Sequence, residues 1–452
     1  MRPAIRPTRQ PGPETGSISI IAAALALSIL VLLTGAGLPT AAQDASPSPA
    51  AVPAAEATAL PEGFTRRMAE AISGVVDKVH PVRQLPPADG MAYRAIDAET
   101  FRQELEAIFR EEYSDAYIAA EDALLTRLGL IAEDDDLGDL ILSLYESQVL
   151  AFYDPRTATF SLVGPVDSIG GFESLVVAHE YGHALQDASW DLEGTRITDL
   201  SRADEILAQQ ALAEGDATAV MYDWAARNLD LPQLLRISAR AFGQQDERTL
   251  RRVPPLLRRQ LEFPYIDGFA FVNALRGRGD WEAVNEAWDV RPVSTEQILH
   301  PELYPGEDPV AVALPDLAAL LGSGWSSSYE QTLGEMQIGV WVADGRRARR
   351  LFPALPAQLP RQEAAAGWGG DRLVSLDGPD GSWAVVWQTD WDSSSDAREF
   401  RSAARAAMRD LPGAHAAVDA DIAGGLSFPV LVLVADSSET LDAVQAVLDL
   451  DS

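Results

Sequence analysis

The segment Ser174-Leu175-Val176-Val177-Ala178-His179-Glu180-Tyr181-Gly182-His183-Ala184-Leu185-Gln186-Asp187 constrains this chain more than any other. Apolar residues flank its polar ones on both sides, so the helix predicted over residues 172–188 belongs in a core. Two imidazoles and a carboxylate are carried into that core with it. A buried polar group left unpaired costs about 1–3 kcal/mol, so the fold must find a partner for each. His179 and His183 stand four residues apart, which on a helix places both rings on one face, one turn apart. That spacing lets two imidazoles take two corners of a tetrahedral metal. Glu180, beside the first His, has the position of a general base that does not itself ligate. Gly182 in mid-helix costs up to about 1 kcal/mol relative to alanine, which points to close packing or to metal access beside it.

Composition narrows the donor set. The chain has 452 residues, 5 His and no Cys, which excludes disulfides, zinc ribbons, iron–sulfur clusters and thiol nucleophiles. A third ligand must therefore be His, Asp or Glu. The next helical segment, residues 202–228 with Ser201 as its predicted N-cap, contains Leu212-Ala213-Glu214-Gly215-Asp216-Ala217-Thr218. Glu214 shares a face with Leu207, Gln210, Ala211, Thr218 and Met221, where a lone carboxylate is costly unless charge-paired or metal-bound. Asp216 points away and reads as a solvent-facing or capping carboxylate; Asp187 is a further alternative. Glu214 is preferred, which gives the two-His, one-Glu set of catalytic zinc, with one Zn2+ on His179, His183 and Glu214. Gly215 and Ala217 are small enough to bring the two helices close together.

Hydrolysis at such a site also needs a donor for the developing oxyanion. His300, in Gln297-Ile298-Leu299-His300-Pro301, and Tyr265, just ahead of a helix predicted from about Gly268, are the two candidates. Each also reads as a hydrogen-bonded structural residue. His80 and His415 have no constellation near them and read as surface or boundary residues. Phe152 and Tyr153 lie on a predicted strand ahead of the metal helix. They serve either as an edge for an extended substrate or as core aromatics of a hairpin.

The formal charge of -33 argues against nucleic acid as a partner. Residues 1–42 have the plan of a secretory signal peptide: Arg2, Arg6 and Arg9, an apolar centre over residues 18–33, and small residues at Ala41 and Ala42. Cleavage after Ala42 is preferred to an uncleaved membrane anchor over residues 18–36, and either places the body outside the cytoplasm, secreted or tethered to the membrane. Residues 43–60 form an Ala/Pro/Ser linker. Residues 61–310 form the catalytic domain and residues 311–452 a smaller module. The predicted class is α+β: a mainly helical domain with a small antiparallel sheet, plus a C-terminal α+β module of ferredoxin-like layout.

Within that frame, residues 100–128 have helical periodicity, and residues 149–153 and 158–163 read as a hairpin. The acidic run 133–136 lacks EF-hand spacing and reads as an exposed loop. In the module, residues 328–342 read as a helix and the basic run 346–350 as a solvated helix end or linker. Residues 372–376 and 382–388 form a predicted hairpin. A helix follows over 396–408 with Asp396 and Glu399 at capping-box spacing, then a buried strand over 428–435 and a helix over 439–448.

These motifs together resemble the gluzincin clan of zinc metallopeptidases. More narrowly, they are similar to a group of secreted bacterial proteins classed as metallopeptidases and largely uncharacterised. The likeness rests on Phe152-Tyr153-Asp154-Pro155, His179-Glu180-x-x-His183-Ala184-Leu185-Gln186-Asp187, Glu214-Gly215-Asp216-Ala217 and Ser294-Thr295-Glu296-Gln297-Ile298-Leu299-His300-Pro301. It covers roughly residues 150–304, and Gly367-Trp368-Gly369-Gly370-Asp371 extends it into the module. The resemblance implies a zincin-like catalytic domain, hydrolysis of peptide bonds in a protein or peptide substrate, zinc on His179, His183 and Glu214, and Glu180 as general base. Gluzincins often place an Asp four residues after the ligand Glu; here that position is Thr218, so orientation of a ligand His passes to the Thr218 hydroxyl or to Asp187. A different expectation is a non-catalytic envelope binding or assembly protein with a structural zinc, against which the intact Glu180 counts. Amide hydrolysis on cell-wall peptides is a third.

Overall fold

The computed structural model describes residues 64–164, 168–244, 253–343, 363–411, 414–419 and 428–448. The expected signal segment (residues 1–42), the linker (43–60) and the basic run 346–350 lie outside the described residues. Among the described residues no helix is long and apolar enough to cross a membrane.

The chain enters through α1 (Arg66–Arg83), started by the Thr65 hydroxyl accepting from Met68 N. After β1 (Ala92–Ile96) come α2 (Ala98–Glu112), α3 (Asp115–Arg127) and α4 (Leu137–Gln148). The helical run expected over residues 100–128 is thus two helices, divided where the Ser114 hydroxyl accepts from Tyr117 N. The predicted hairpin is present as β2 (Ala151–Asp154) and β3 (Thr159–Val163). The sheet is nevertheless mixed rather than antiparallel, with order β1-β3-β2, because β1 pairs parallel with β3. Parallel pairing needs a long crossover, and α2 to α4 supply it.

Next come α5 (Gly171–Trp190), which carries the two His, and α6 (Ala203–Asn228), which carries Glu214. A short 3-10 turn, Leu200–Arg202, leads into α6. Its cap is Asp199, accepting from Ser201 N, so Ser201 is not the N-cap that the sequence suggested. α7 (Leu231–Gln244) is followed by α8 (Pro255–Asp289), which runs through Pro264 and loses helical geometry at Gly279 and Asp280. Tyr265 therefore sits inside a helix, not ahead of one.

Backbone contact sets how closely α5, α6 and α8 lie. A Cβ on Gly182 would be 3.2 Å from Ala217 Cα, so that pair brings α5 against α6. Gly215 does not serve this contact. A Cβ there would lie 2.2 Å from Gly268 O, and one on Gly268 would lie 2.1 Å from Ala211 O, so Gly215 and Gly268 bring α6 against α8. One apolar core joins α1, α5, α6 and α8 around Val79, Leu185, Leu212, Val220, Phe263 and Phe271.

Beyond α9 (Thr295–Leu299) and α10 (Leu317–Leu321) the chain forms the second sheet. It comprises β4 (Ser326–Gln331), β5 (Trp368–Asp377), β6 (Trp383–Trp391), β7 (His415–Asp419) and β8 (Val430–Ala435), antiparallel in the order β4-β5-β6-β8-β7. The helix expected over residues 328–342 is instead β4, then a turn at Gly334 (φ 72°), then α11 (Gly334–Val342). Tyr329 and Gln331 are buried on alternate positions, and their pairing with β5 outweighs local helical preference. α12 (Ser394–Ala407) is capped by the Ser393 hydroxyl, not by Asp396. It connects β6 to β7 across the inserted β8, and α13 (Ser438–Val447) closes the module. The crossover of α12 from β6 to β7 across β8 is ferredoxin-like, but α11 joins β4 to an adjacent, antiparallel β5, and the order from β4 onward is βαββαββα, not βαββαβ. β8 is buried on both faces: Val430, Val432 and Val434 pack with Phe400 of α12, and Leu431, Leu433 and Ala435 pack with Val444 of α13.

The whole is an α+β fold, a mainly helical body with a smaller C-terminal α+β region. The two parts share core: Leu124 of α3 and its C-cap Leu128 pack with Tyr329, Trp341 and Trp387. Arg127 reaches Ser375 and Asp377, each at 2.7 Å. Asp371, from the Gly-Trp-Gly-Gly-Asp run, accepts from Leu333 N, Gly334 N and the indoles of Trp368 and Trp387 at 2.9–3.0 Å, pinning the start of α11.

Candidate metal centre

α5 and α6 meet at three buried side chains. His179 Nε2 lies 3.1 Å from Glu214 Oε2, His183 Nε2 lies 3.4 Å from the same oxygen, and the two Nε2 atoms are 3.2 Å apart. Each of the three residues is at most 2 % exposed. Among the described residues this is the group whose donor atoms converge as a metal requires. A tetrahedral ion with bonds of about 2.0–2.1 Å has donor-to-donor edges of about 3.3 Å, so the three observed separations match one face of such a tetrahedron. The residues fit a metal ion.

The tautomer of His183 can be read from its surroundings. Gln186 Nε2 donates to Ala213 O at 3.0 Å, which fixes the carboxamide with Oε1 as the acceptor. His183 Nδ1, 2.9 Å from that Oε1, must then carry the proton, and this leaves the Nε2 lone pair facing the group. His179 Nδ1 is buried with no hydrogen-bond partner among the described residues, and so is Thr218 Oγ1. Burial lowers the pKa of His179. Burial would raise that of Glu214, but His183 and His179 outweigh it and keep the carboxylate ionised well below the usual range.

Glu180 is next to the ligands but not among them. Its Oε2 accepts from Tyr153 N at 2.9 Å, so β2 holds the carboxylate. Burial, reinforced by Glu214, pushes it up to about 8 against the pull of His183 and the Tyr153 N–H. Tyr153 is buried and Phe152 packs against Phe101, so both are core aromatics of the hairpin, with Tyr153 also a backbone donor to the site. Asp187 accepts from Tyr153 Oη at 2.9 Å and from Leu192 N at 3.0 Å. The structure gives Gln186, not Thr218 or Asp187, the role of orienting His183.

The two oxyanion candidates fall in different places. The Tyr265 ring stacks on His179, centroids 6.0 Å apart and 26° between planes, so α8 carries it to the ligand group. His300 caps the end of α9 and faces the C-terminal module, with Nε2 3.0 Å from Glu335 Oε1 of α11. His80 is half-buried on α1 and His415 is exposed on β7, as boundary and surface residues.

Asp216 overturns its expected role. It is fully buried, and Arg83 of α1 donates to both its oxygens at 2.7 and 3.0 Å, with the Trp288 indole donating at 2.9 Å. It stands outside the His179–His183–Glu214 group, as expected, but it pairs with α1 and does not face solvent. Tyr145 of α4 carries no motif; its phenol is raised to about 12 by burial, Glu112 and the Glu214 carboxylate. Gln186 had a usable signal, a carboxamide three residues after a ligand on the same helical face; Tyr145 had none.

Comparison with known proteins reaches the module and stops short of the centre. No curated protein and no solved structure matches the chain. A family described as a domain of unknown function (DUF8575) matches residues 323–449, from just ahead of β4 to just past α13, and contains none of the three converging ligands.

Proposed function

We propose that the protein is a zinc-dependent peptidase acting outside the cytoplasm, with zinc held by His179, His183 and Glu214 and with Glu180 as its general base. The observation that carries this reading is the convergence of two Nε2 atoms and one carboxylate oxygen within 3.1–3.4 Å while Glu180, one residue from a ligand, stays out of the group. Bound zinc supplies Lewis-acid activation of the scissile carbonyl and of water. Glu180, steadied by Tyr153 N–H, takes the proton of the attacking water. The water oxygen bonds to the carbonyl carbon, the C–N bond breaks, and Glu180 returns the proton to the leaving amine. Gln186 keeps His183 in the ligating tautomer, and Tyr265, stacked on His179, is the oxyanion candidate beside the ligands. The signal-peptide plan of residues 1–42 supports placement in or beyond the envelope.

A second reading, a structural zinc in an envelope binding or assembly protein, draws on the near-complete burial of all three ligands. Against it stands the three-residue donor set, since structural zinc normally closes its fourth position with protein. Glu180→Gln separates the two. The variant should keep its zinc by metal mass spectrometry and lose at least about a hundredfold in peptide hydrolysis. Full activity in the variant sinks the base assignment, and a zinc-loaded wild type that cleaves nothing in a broad peptide library favours the structural role.

A further inference from the structure

A cavity of about 340 Å³ lies among α2, α3, α4, α6, α8 and the start of the C-terminal module. Ala203, Leu207, Gln210 and Ala213 line it from α6. Glu214 continues the same helical stripe one turn past Gln210. Tyr145 lines the cavity as well, and its α6 wall runs to Ala213, the residue directly before Glu214.

Two polar groups on its wall have no charged partner among the described residues. The half-buried Gln210 carboxamide has no hydrogen-bond partner among the described residues. Arg291 donates to Thr195 O at 3.3 Å and Thr195 Oγ1 at 2.7 Å, and lies over the Trp288 ring, 5.4 Å from its centroid. It has no carboxylate partner among the described residues. The other lining cation, Arg196, is already neutralised by Glu112 at 3.2 Å. Apolar wall comes from Ile141, Leu144, Leu257 and Leu261. The volume is at the small end of ligand pockets, about 300–1,000 Å³, and suits a few residues of peptide, not a folded chain.

We propose that this cavity binds a short peptide with a free C-terminal carboxylate, which pairs with Arg291 while the Gln210 carboxamide holds a backbone amide one turn before Glu214. That the ligand is a peptide rests on the peptidase reading; the need for a carboxylate rests on Arg291. A guanidinium presents paired donors that match a carboxylate, and amidation of the peptide removes both the charge and one acceptor.

The test is calorimetric titration of the zinc-loaded Glu180→Gln full chain, in which turnover is blocked, with Ala-Phe-Ala as the free acid and as the C-terminal amide. The acid should bind at least about tenfold more tightly than the amide. Arg291→Gln should bring the acid down to the affinity of the amide, and Gln210→Ala should weaken both alike by a few fold. Equal binding of acid and amide, no binding of either, or a preference that survives Arg291→Gln overturns the proposal. The acid–amide comparison needs no change in the cavity, so a poorly folded Arg291→Gln cannot hide the answer. Cleavage by wild type without the preference sinks this proposal alone, and the preference without cleavage sinks the peptidase reading alone.

Discussion

Arg83 and Asp216, 133 residues apart, form a two-pronged ion pair at 2.7 and 3.0 Å in the interior, each at most 1 % exposed. The Arg83 guanidinium lies 4.5 Å from the centroid of Trp281 and 5.7 Å from that of Trp190. The pair locks the first helix onto α6, two residues from Glu214, so α1 is integral to the core that carries the His179–His183–Glu214 group. Removing one partner strands a buried charge. Arg83→Met should therefore cost about 3–5 kcal/mol, measured by urea denaturation. The double change Arg83→Met with Asp216→Leu should recover part of that loss.

Gln186 should matter to the metal more than to the fold. Gln186→Leu frees His183 to take the wrong tautomer, and chelator competition should show zinc affinity lower by about 10–100-fold. Gln186→Glu keeps an acceptor for His183 Nδ1 and should retain most of the affinity. His183→Ala removes a ligand outright and should leave the purified protein without stoichiometric zinc by mass spectrometry.

The small residues between helices should rank by what their added Cβ meets. At Gly268 it would lie 2.1 Å from a backbone oxygen, so Gly268→Ala should lower stability by about 1–3 kcal/mol or more. At Gly182 the nearest atom is at 3.2 Å, and alanine gains up to about 1 kcal/mol of helix propensity, which offsets part of the crowding. Thermal melts should therefore place Gly182→Ala well above Gly268→Ala; the reverse order would contradict the crossing described.

Acidic groups at the junction of the two parts should make stability fall as pH rises. Burial pushes Glu296 up to about 9, with Glu335, Asp392, Glu307 and Asp204 adding to it. Its neutral form is the one the fold accepts. That contribution is complete below the unfolded carboxyl value of about 4.3 and is lost progressively as pH rises through about 9. Denaturation midpoints from pH 5 to 9 should decline, and Glu296→Gln should flatten the decline. An unchanged slope in that variant would rule out Glu296 as the source.

The group able to hold a metal was legible in the sequence because its geometry is local. Four residues on a helix put His179 and His183 on one face whatever else the chain does, and a single carboxylate on an apolar stripe marked Glu214. The hairpin before α5 and, in the module, the β5–β6 hairpin, α12, β8 and α13 were equally local signals, set by periodicity and turn residues. What lay beyond reach was every choice between partners distant in the chain. The stripe picked Glu214 over Asp216, but the role of Asp216 itself was beyond reach: only the arrival of α1 with Arg83 makes it a buried structural anchor and not a solvent-facing carboxylate. The same holds for β4, a strand because β5 is beside it, and for Tyr265, which α8 carries onto His179 through Pro264. Periodicity decides which face a side chain occupies. Which surface meets that face depends on how the helices cross, and here that was decided by backbone contact at Gly182, Gly215 and Gly268, where no side chain is present to announce it.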